Sequence, residues 1–356
     1  MLRLRGHIGM HVFSAVMLVM LVVAGLFGVA ELADEMTGAP EGYSVWQVMW
    51  YVAMRVPGIT LDNMGFTMLV GCLLGLGVLA SQSELTVMRA SGVSVLRIIW
   101  MVLRPMLLVM LVSAVLAEFL IPGINRYAEV WYADIGQQTG ARAQRTGGGL
   151  WLRQDNDFLH FESISPDGQM RGFSRFQFKD GRSLSGVIFA PRASFSEGGW
   201  LLEDASITEI GEKNTRVTHN AQGLRWESHL APELLGLVVS KPENMSIREI
   251  TSYLRYLGNQ AQDGRQFELV FWQKVLKPFG MIGLVLVAIS FVFGPLRSTT
   301  MGYRLFTGVM VGVVFRFAQD LLGPTSLVFG FAPIIAVLGP IMVCWLIGIA
   351  LLLRVR

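Results

Sequence analysis

A chain of 356 residues that is 53% hydrophobic and only 15% charged is too apolar for an ordinary soluble domain and reads as an integral membrane protein. Its 29 Lys/Arg and 26 Asp/Glu leave a net charge of +3, with no basic run and no interleaving of basic and aromatic residues, which excludes a nucleic-acid binder. Both cysteines, Cys72 and Cys344, lie in apolar spans, so the polar part can form no internal disulfide and cysteine usage assigns no compartment.

The first apolar span, residues 10–30, follows Arg3 and Arg5. It is too long for the core of a signal peptide and matches the ~30 Å hydrocarbon thickness of a bilayer, so it is expected to stay as a transmembrane helix. His7 and His11 flank it at i, i+4; two neutral ligands with no third partner are an interfacial pair rather than a metal site. Further spans are expected at residues 56–80 and 98–121, and, after a polar block at 122–266, at 269–293, 303–321 and 331–353. Gly71-x-x-x-Gly75 and Gly308-x-x-x-Gly312 allow close helix approach and read as packing motifs.

Arginines set the orientation. Arg3 and Arg5, Arg89 and Arg97, Arg297 and Arg304, and Arg354 and Arg356 all fall on one face, which the positive-inside rule makes cytoplasmic. The other face carries Glu31, Asp34, Glu35 and Glu41 together with the polar block. That block is expected to be extracytoplasmic and all-β. Phe158 to Phe161, Phe173 to Phe178, Gly186 to Phe195, Trp200 to Ile210 and Leu224 to Trp226 are short aromatic and β-branched runs separated by turn signals, the pattern of an antiparallel sandwich or jelly roll. Ile247, Ile250, Leu254 and Leu257 then mark one stripe of a helix leading back to the membrane. The expected architecture is a membrane α-helical 3+3 protein: helices 1–3 in residues 1–121, an inserted β domain with helical connections in 122–266, and helices 4–6 in 267–356.

No Walker A loop, G-x-S-x-G elbow, H-E-x-x-H or C-x-x-C occurs, so the chain is not expected to be an enzyme or to hold a metal or cofactor; any energy must come from a partner. Residues 82–92 between spans two and three are where a partner would bind. Ser81 is a candidate N-cap, Glu84 stands in the first turn and Gly92 closes the end. Leu85 and Met88 at i, i+3 are expected to offer an apolar stripe to a groove on another protein, with Glu84 and Arg89 adding charge. The plainer reading is an interfacial helix that merely turns the chain.

The stretch Ser83-Glu84-Leu85-Thr86-Val87-Met88-Arg89-Ala90-Ser91-Gly92, and Gly294-Pro295-Leu296-Arg297-Ser298-Thr299-Thr300-Met301-Gly302 with the preceding Ser290-Phe291-Val292-Phe293, resemble signatures of the LptF/LptG permeases of lipopolysaccharide export. Phe267-Glu268-Leu269-Val270-Phe271-Trp272-Gln273-Lys274 and Gly323-Pro324-Thr325-Ser326-Leu327-Val328 point to the G branch. The resemblance covers nearly the whole chain and is weakest in the β block. It implies a subunit of an ABC exporter in a Gram-negative inner membrane, with an LptF and an LptG permease facing each other over a lipid cavity. A dimer of the ATPase LptB, which binds ATP and magnesium, would sit below, and LptC would receive the lipid. It also implies that Glu84 sits in the ATPase groove with Leu85, Met88 and Arg89 beside it, and that Arg297 is a structural or coupling residue.

Lipopolysaccharide joins acyl chains to phosphates, so its cavity needs an apolar wall and a few cations near the outer leaflet. Leu26 and Phe27 supply wall; Lys274 and Lys277, near the outer end of span four, are candidate phosphate contacts or else snorkelling side chains. Arg316 lies about 18 Å into span five, where a lone charge costs at least ~2.5 kcal/mol, so it must face a partner or a cavity. Asp320, one turn later, is its candidate partner. Well-known family members carry a lysine at the outer end of span one; here Glu31-Leu32-Ala33-Asp34-Glu35 is acidic, and Glu31 is expected either to bind phosphate through a divalent cation or simply to be solvated. A secondary transporter using Asp62, Arg104, Glu118, Arg316 and Asp320, and a non-transporting scaffold, are the alternatives.

Overall fold

The computed structural model describes residues 2–38, 43–138, 150–154, 157–161, 163–164, 170–179, 183–196, 199–211, 215–220, 223–226, 242–259, 262–294 and 299–354. Its contacts divide the chain into a helical unit (Met1–Ala39, Ser44–Glu129 and Arg265–Arg356) and a second unit (Pro40–Tyr43 and Val130–Gly264).

The helical unit has, among the described residues, six helices long and apolar enough to cross a membrane. Helix α1, Leu2–Gly38, has 37 residues and rises about 55 Å, well past the ~30 Å of hydrocarbon. The second span is shorter than the hydropathy pattern suggests. Helix α2, Val45–Asp62, ends at Asn63, and the membrane-crossing helix is α3, Met64–Ser81. Asn63 keeps its N–H on the Ile59 carbonyl and its own carbonyl accepts from Thr67, so the two helices meet at a kink rather than a loop. Ser44 and Gln47 form a capping box that starts α2.

The third span also differs from expectation. Helix α5, Val95–Val115, continues through a π turn at Leu116–Leu120 into α6, Ile121–Gln138, instead of stopping at Pro122. Pro122 leaves one carbonyl of this continuous helix without its N–H donor, and the wider π turn before it relieves the clash of its ring. Beyond the polar block, α8 (Arg265–Phe293), α9 (Met301–Phe329) and α10 (Pro333–Leu353) complete the bundle.

Helix α3 is the centre of this unit. Its Gly71 and Gly75 lie against the backbone of Val16 and Val12 in α1, while Gly308 and Gly312 of α9 lie against Leu73, Phe66 and Leu69 on another face. Met68, Leu69, Cys72, Leu73 and Leu76 are fully buried between these helices and α8. Helix α8 in turn packs on α10, where the Trp345 indole N–H donates to the Phe279 carbonyl at 2.9 Å.

In the second unit the described strands form one nine-stranded antiparallel sheet. They are β1 (Leu150–Gln154), β2 (Asp157–Phe161), β3 (Ser163–Ile164), β4 (Met170–Lys179), β5 (Ser183–Ser196), β6 (Gly199–Glu203), β7 (Ala205–Ile210), β8 (Thr215–Asn220) and β9 (Leu224–Trp226). The run from Trp200 to Ile210 is two strands, not one, because Asp204 adopts a left-handed φ of 50° and turns the chain between them. The fourteen-residue β5 pairs with β4 along its length, with β7 at Gly186 to Phe189 and with β6 at Arg192 to Ser196. Phe161, Phe173 and Trp200 are buried in the hydrophobic core of this sheet. Helix α7, Ile247–Asn259, opens on a capping box in which Ser246 and Glu249 exchange hydrogen bonds, and its Tyr256 packs on the sheet core.

Candidate functional site

Only Gln82 and Ser83 separate α3 from the short helix α4, Glu84–Ala90. Ser83 breaks the chain direction with a φ of 60° and makes no side-chain cap, while Ser81 turns its hydroxyl back to the Val78 carbonyl; neither serine caps α4. The other end closes as the glycine pattern predicts. Gly92, at φ 84°, donates to the Arg89 carbonyl and Val93 donates to that of Met88, the two bonds of a Schellman motif.

Seven residues cannot hold a helix alone, so α4 depends on its packing. Leu85 and Met88 supply it: they are 4% and 7% exposed and belong to the bundle core. This corrects the expected direction of the apolar stripe. Leu85 and Met88 face the bundle and not a partner, which leaves Thr86, Val87 and Ala90 on the open face, Val87 being 66% exposed. Glu84 is held from α1, its carboxylate Oε2 lying 3.1 Å from His7 Nε2, and the His11 ring packs edge-on against His7. His7 thus ties α1 to α4, with His11 packed against it. Arg89 is half-buried, and Arg297 lies outside the described residues.

At the opposite end of the α1 and α2 pair, the acidic stretch is not merely solvated. Glu31 Oε1 meets Arg55 Nη1 of α2 at 2.7 Å, and the Arg55 guanidinium lies over the Tyr51 ring at 5.5 Å. Burial pushes the Tyr51 phenol up, with Arg55 opposing and the Glu35 and Glu129 carboxylates reinforcing, so the hydroxyl stays neutral and accepts from Arg55 at 3.4 Å. Arg55 was missed by the sequence reading because it sits at the edge of an apolar window; the signal is the antiparallel register that brings it opposite Glu31. This partly buried pair is expected to show a coupling of about 1 kcal/mol, the Glu31→Ala/Arg55→Ala double variant costing that much less than the sum of the two single variants in thermal unfolding in detergent.

The other lipid-side candidates do not gather into one cavity within this chain. Leu26 is exposed and Phe27 half-buried on α1. Lys277 Nζ is bound by Asp62 Oδ1 at 2.8 Å, fastening α8 to the end of α2, so it is neither snorkelling nor free; Lys274 is half-buried one turn away. Arg316 and Asp320 do pair on α9, at 2.8 Å, but both are more than half exposed on the outer face of the helix.

Six spanning helices with a β insert after the third, a clamped two-turn helix at one end and paired charges at the other define a polytopic membrane permease of the 3+3 type. Residues 6–354 match the family model "Lipopolysaccharide export system permease LptF/LptG", and the chain belongs to that family. It is 31% identical over 351 residues to the lipopolysaccharide export system permease protein LptG of Escherichia coli strain K12, covering 98% of this chain and 97% of that relative. It is 29% identical over 350 residues to LptG of Haemophilus influenzae, covering 96% and 97%.

Proposed function

We propose that the chain is the LptG-type permease subunit of an ATP-driven exporter that extracts lipopolysaccharide from the outer leaflet of a Gram-negative inner membrane and passes it to a periplasmic bridge. It is not itself an enzyme: ATP and magnesium bind in a partner LptB dimer, an LptF permease closes the lipid cavity, and LptC receives the lipid. Arg97, Arg354 and the start of α1 lie toward the α4 end, which supports a cytoplasmic placement of that end and of both termini, with the β domain in the periplasm.

The observation that carries this reading is the mounting of α4. Leu85 and Met88 root the helix in the core cluster that also holds α1, α3, α5 and α8 residues, while Val87 is offered outward and Glu84 stands half-buried beside His7, so a push on the open face is transmitted to the spans. On the lipid side, Arg316 and Asp320 face out of the bundle at a depth where they require a cavity or an opposing subunit, as a two-permease chamber provides. The test is photocrosslinking from Phe27, Arg316 and Phe161 to lipopolysaccharide in a reconstituted complex. ATP-dependent crosslinks at Phe27 and Arg316 are expected; their absence with an active ATPase present overturns the transport reading.

A further inference from the structure

A groove of about 800 Å³ lies between α1 and α5 at their α4 ends, away from the paired charges of the lipid side. Its α5 wall is a single stripe: Arg97, Trp100, Arg104 and Leu108 recur at helical spacing. Its α1 wall is open at Gly6, where an added side chain would meet nothing within 4 Å. Both arginines are exposed, and among the described residues neither is paired with a carboxylate; Arg104 rests over the Trp100 ring at 5.9 Å. Among the described residues, no acidic side chain lines the groove.

Arg97 stands two residues into α5 and Arg104 about 14 Å along it from Val95, so one cation is at the membrane surface and the other at the depth where a headgroup joins its tails. Trp100 between them is a residue of the membrane interface. Below, Leu108 continues the stripe as apolar wall. Two cations above an apolar channel complement an amphiphile with an anionic phosphate head and acyl tails, the chemistry of basic pockets between spans. We propose that this groove binds an anionic phospholipid of the leaflet on the α4 side, its phosphate between Arg97 and Arg104 and a tail along Leu108. The site is independent of the transport reading and separate from its lipid cavity.

Native mass spectrometry of the complete permease complex, released from detergent with matched phosphatidylglycerol or phosphatidylcholine added, tests it. Phosphatidylglycerol is expected to be retained roughly tenfold better, with the preference lost in Arg97→Gln/Arg104→Gln and largely restored in Arg97→Lys/Arg104→Lys. Gly6→Phe, which fills the groove at an open helical position and leaves both arginines in place, is expected to remove the lipid from a folded complex. Equal retention of the two lipids, or a preference untouched by Gly6→Phe, overturns the proposal. So does displacement of phosphatidylglycerol by millimolar inorganic phosphate, which marks a site for free phosphate. Lipid held by the isolated chain but by none of the complex also refutes it, because the groove is then covered by the other permease.

Discussion

Glu84→Lys is expected to abolish copurification of the proposed ATPase partner and, with it, ATP-driven lipid release, while the chain still inserts and folds. The carboxylate sits at the first position of α4, half-buried and within 3.1 Å of His7, so a lysine there loses the His7 contact and presents the opposite charge to the partner groove proposed above. Reversing a charge at an interface costs 2–5 kcal/mol or more, a weakening of about 30-fold to several thousand-fold, enough to lose the complex during purification. Val87→Asp is expected to act in the same direction from the open face, where Val87 is exposed and carries no packing role in this chain. Leu85→Ala separates the two kinds of contribution. It opens a cavity in the bundle core and is expected to destabilise the chain itself by about 2–4 kcal/mol, lowering its thermal midpoint as well as ATPase binding. His7→Ala removes one partly exposed contact and should weaken association by a few-fold at most. A Glu84→Lys complex that keeps its ATPase and exports lipid sinks the coupling assignment; a Val87→Asp complex that does so moves the contact to another face of α4.

Hydropathy located the membrane spans because a bilayer demands long uninterrupted apolar helices, and the polar block between the third and fourth announced a domain of its own. What it misread were ends and faces. The second span was placed too early because the last turns of α2, residues 56–61, carry no charge and run on into α3 across the kink at Asn63. The third was ended at residue 121 because the apolar run gives way there to a polar block, and a π turn that carries the helix on past Pro122 leaves no mark in composition. Leu85 and Met88 were correctly grouped on one stripe, but periodicity says which residues share a face and not what the face meets. Arg55 against Glu31 and Lys277 against Asp62 depend on helix register, which one sequence does not reveal. The glycine pairs were legible because small residues four apart have few other uses in a spanning helix.

Those glycines carry the second large effect, and the geometry ranks them. A Cβ at Gly71 would lie 2.6 Å from the Cα of Val16, and one at Gly75 2.8 Å from the Cα of Val12, so α1 as a whole must move away from α3. At Gly308 the obstruction is the end of the Leu73 side chain, which a rotamer change relieves. Overpacking of this kind costs about 1–3 kcal/mol, against roughly 1 kcal/mol gained by replacing glycine with alanine in a helix. Gly71→Ala is therefore expected to destabilise by about 1–2 kcal/mol, Gly75→Ala by slightly less, and Gly308→Ala to be close to neutral. Gly71→Leu, which no rotamer can fit against backbone, should cost more than about 3 kcal/mol and split α1 from the bundle. The functional consequence follows from position: α1 also holds His7, so pushing it off α3 withdraws the contact on Glu84 and loosens α4 even though the altered residue lies several turns away. Thermal unfolding in detergent gives the order, and ATPase copurification gives the consequence. A Gly308→Ala chain less stable than Gly71→Ala would mean that α9, and not α1, is the helix whose backbone α3 requires at close range.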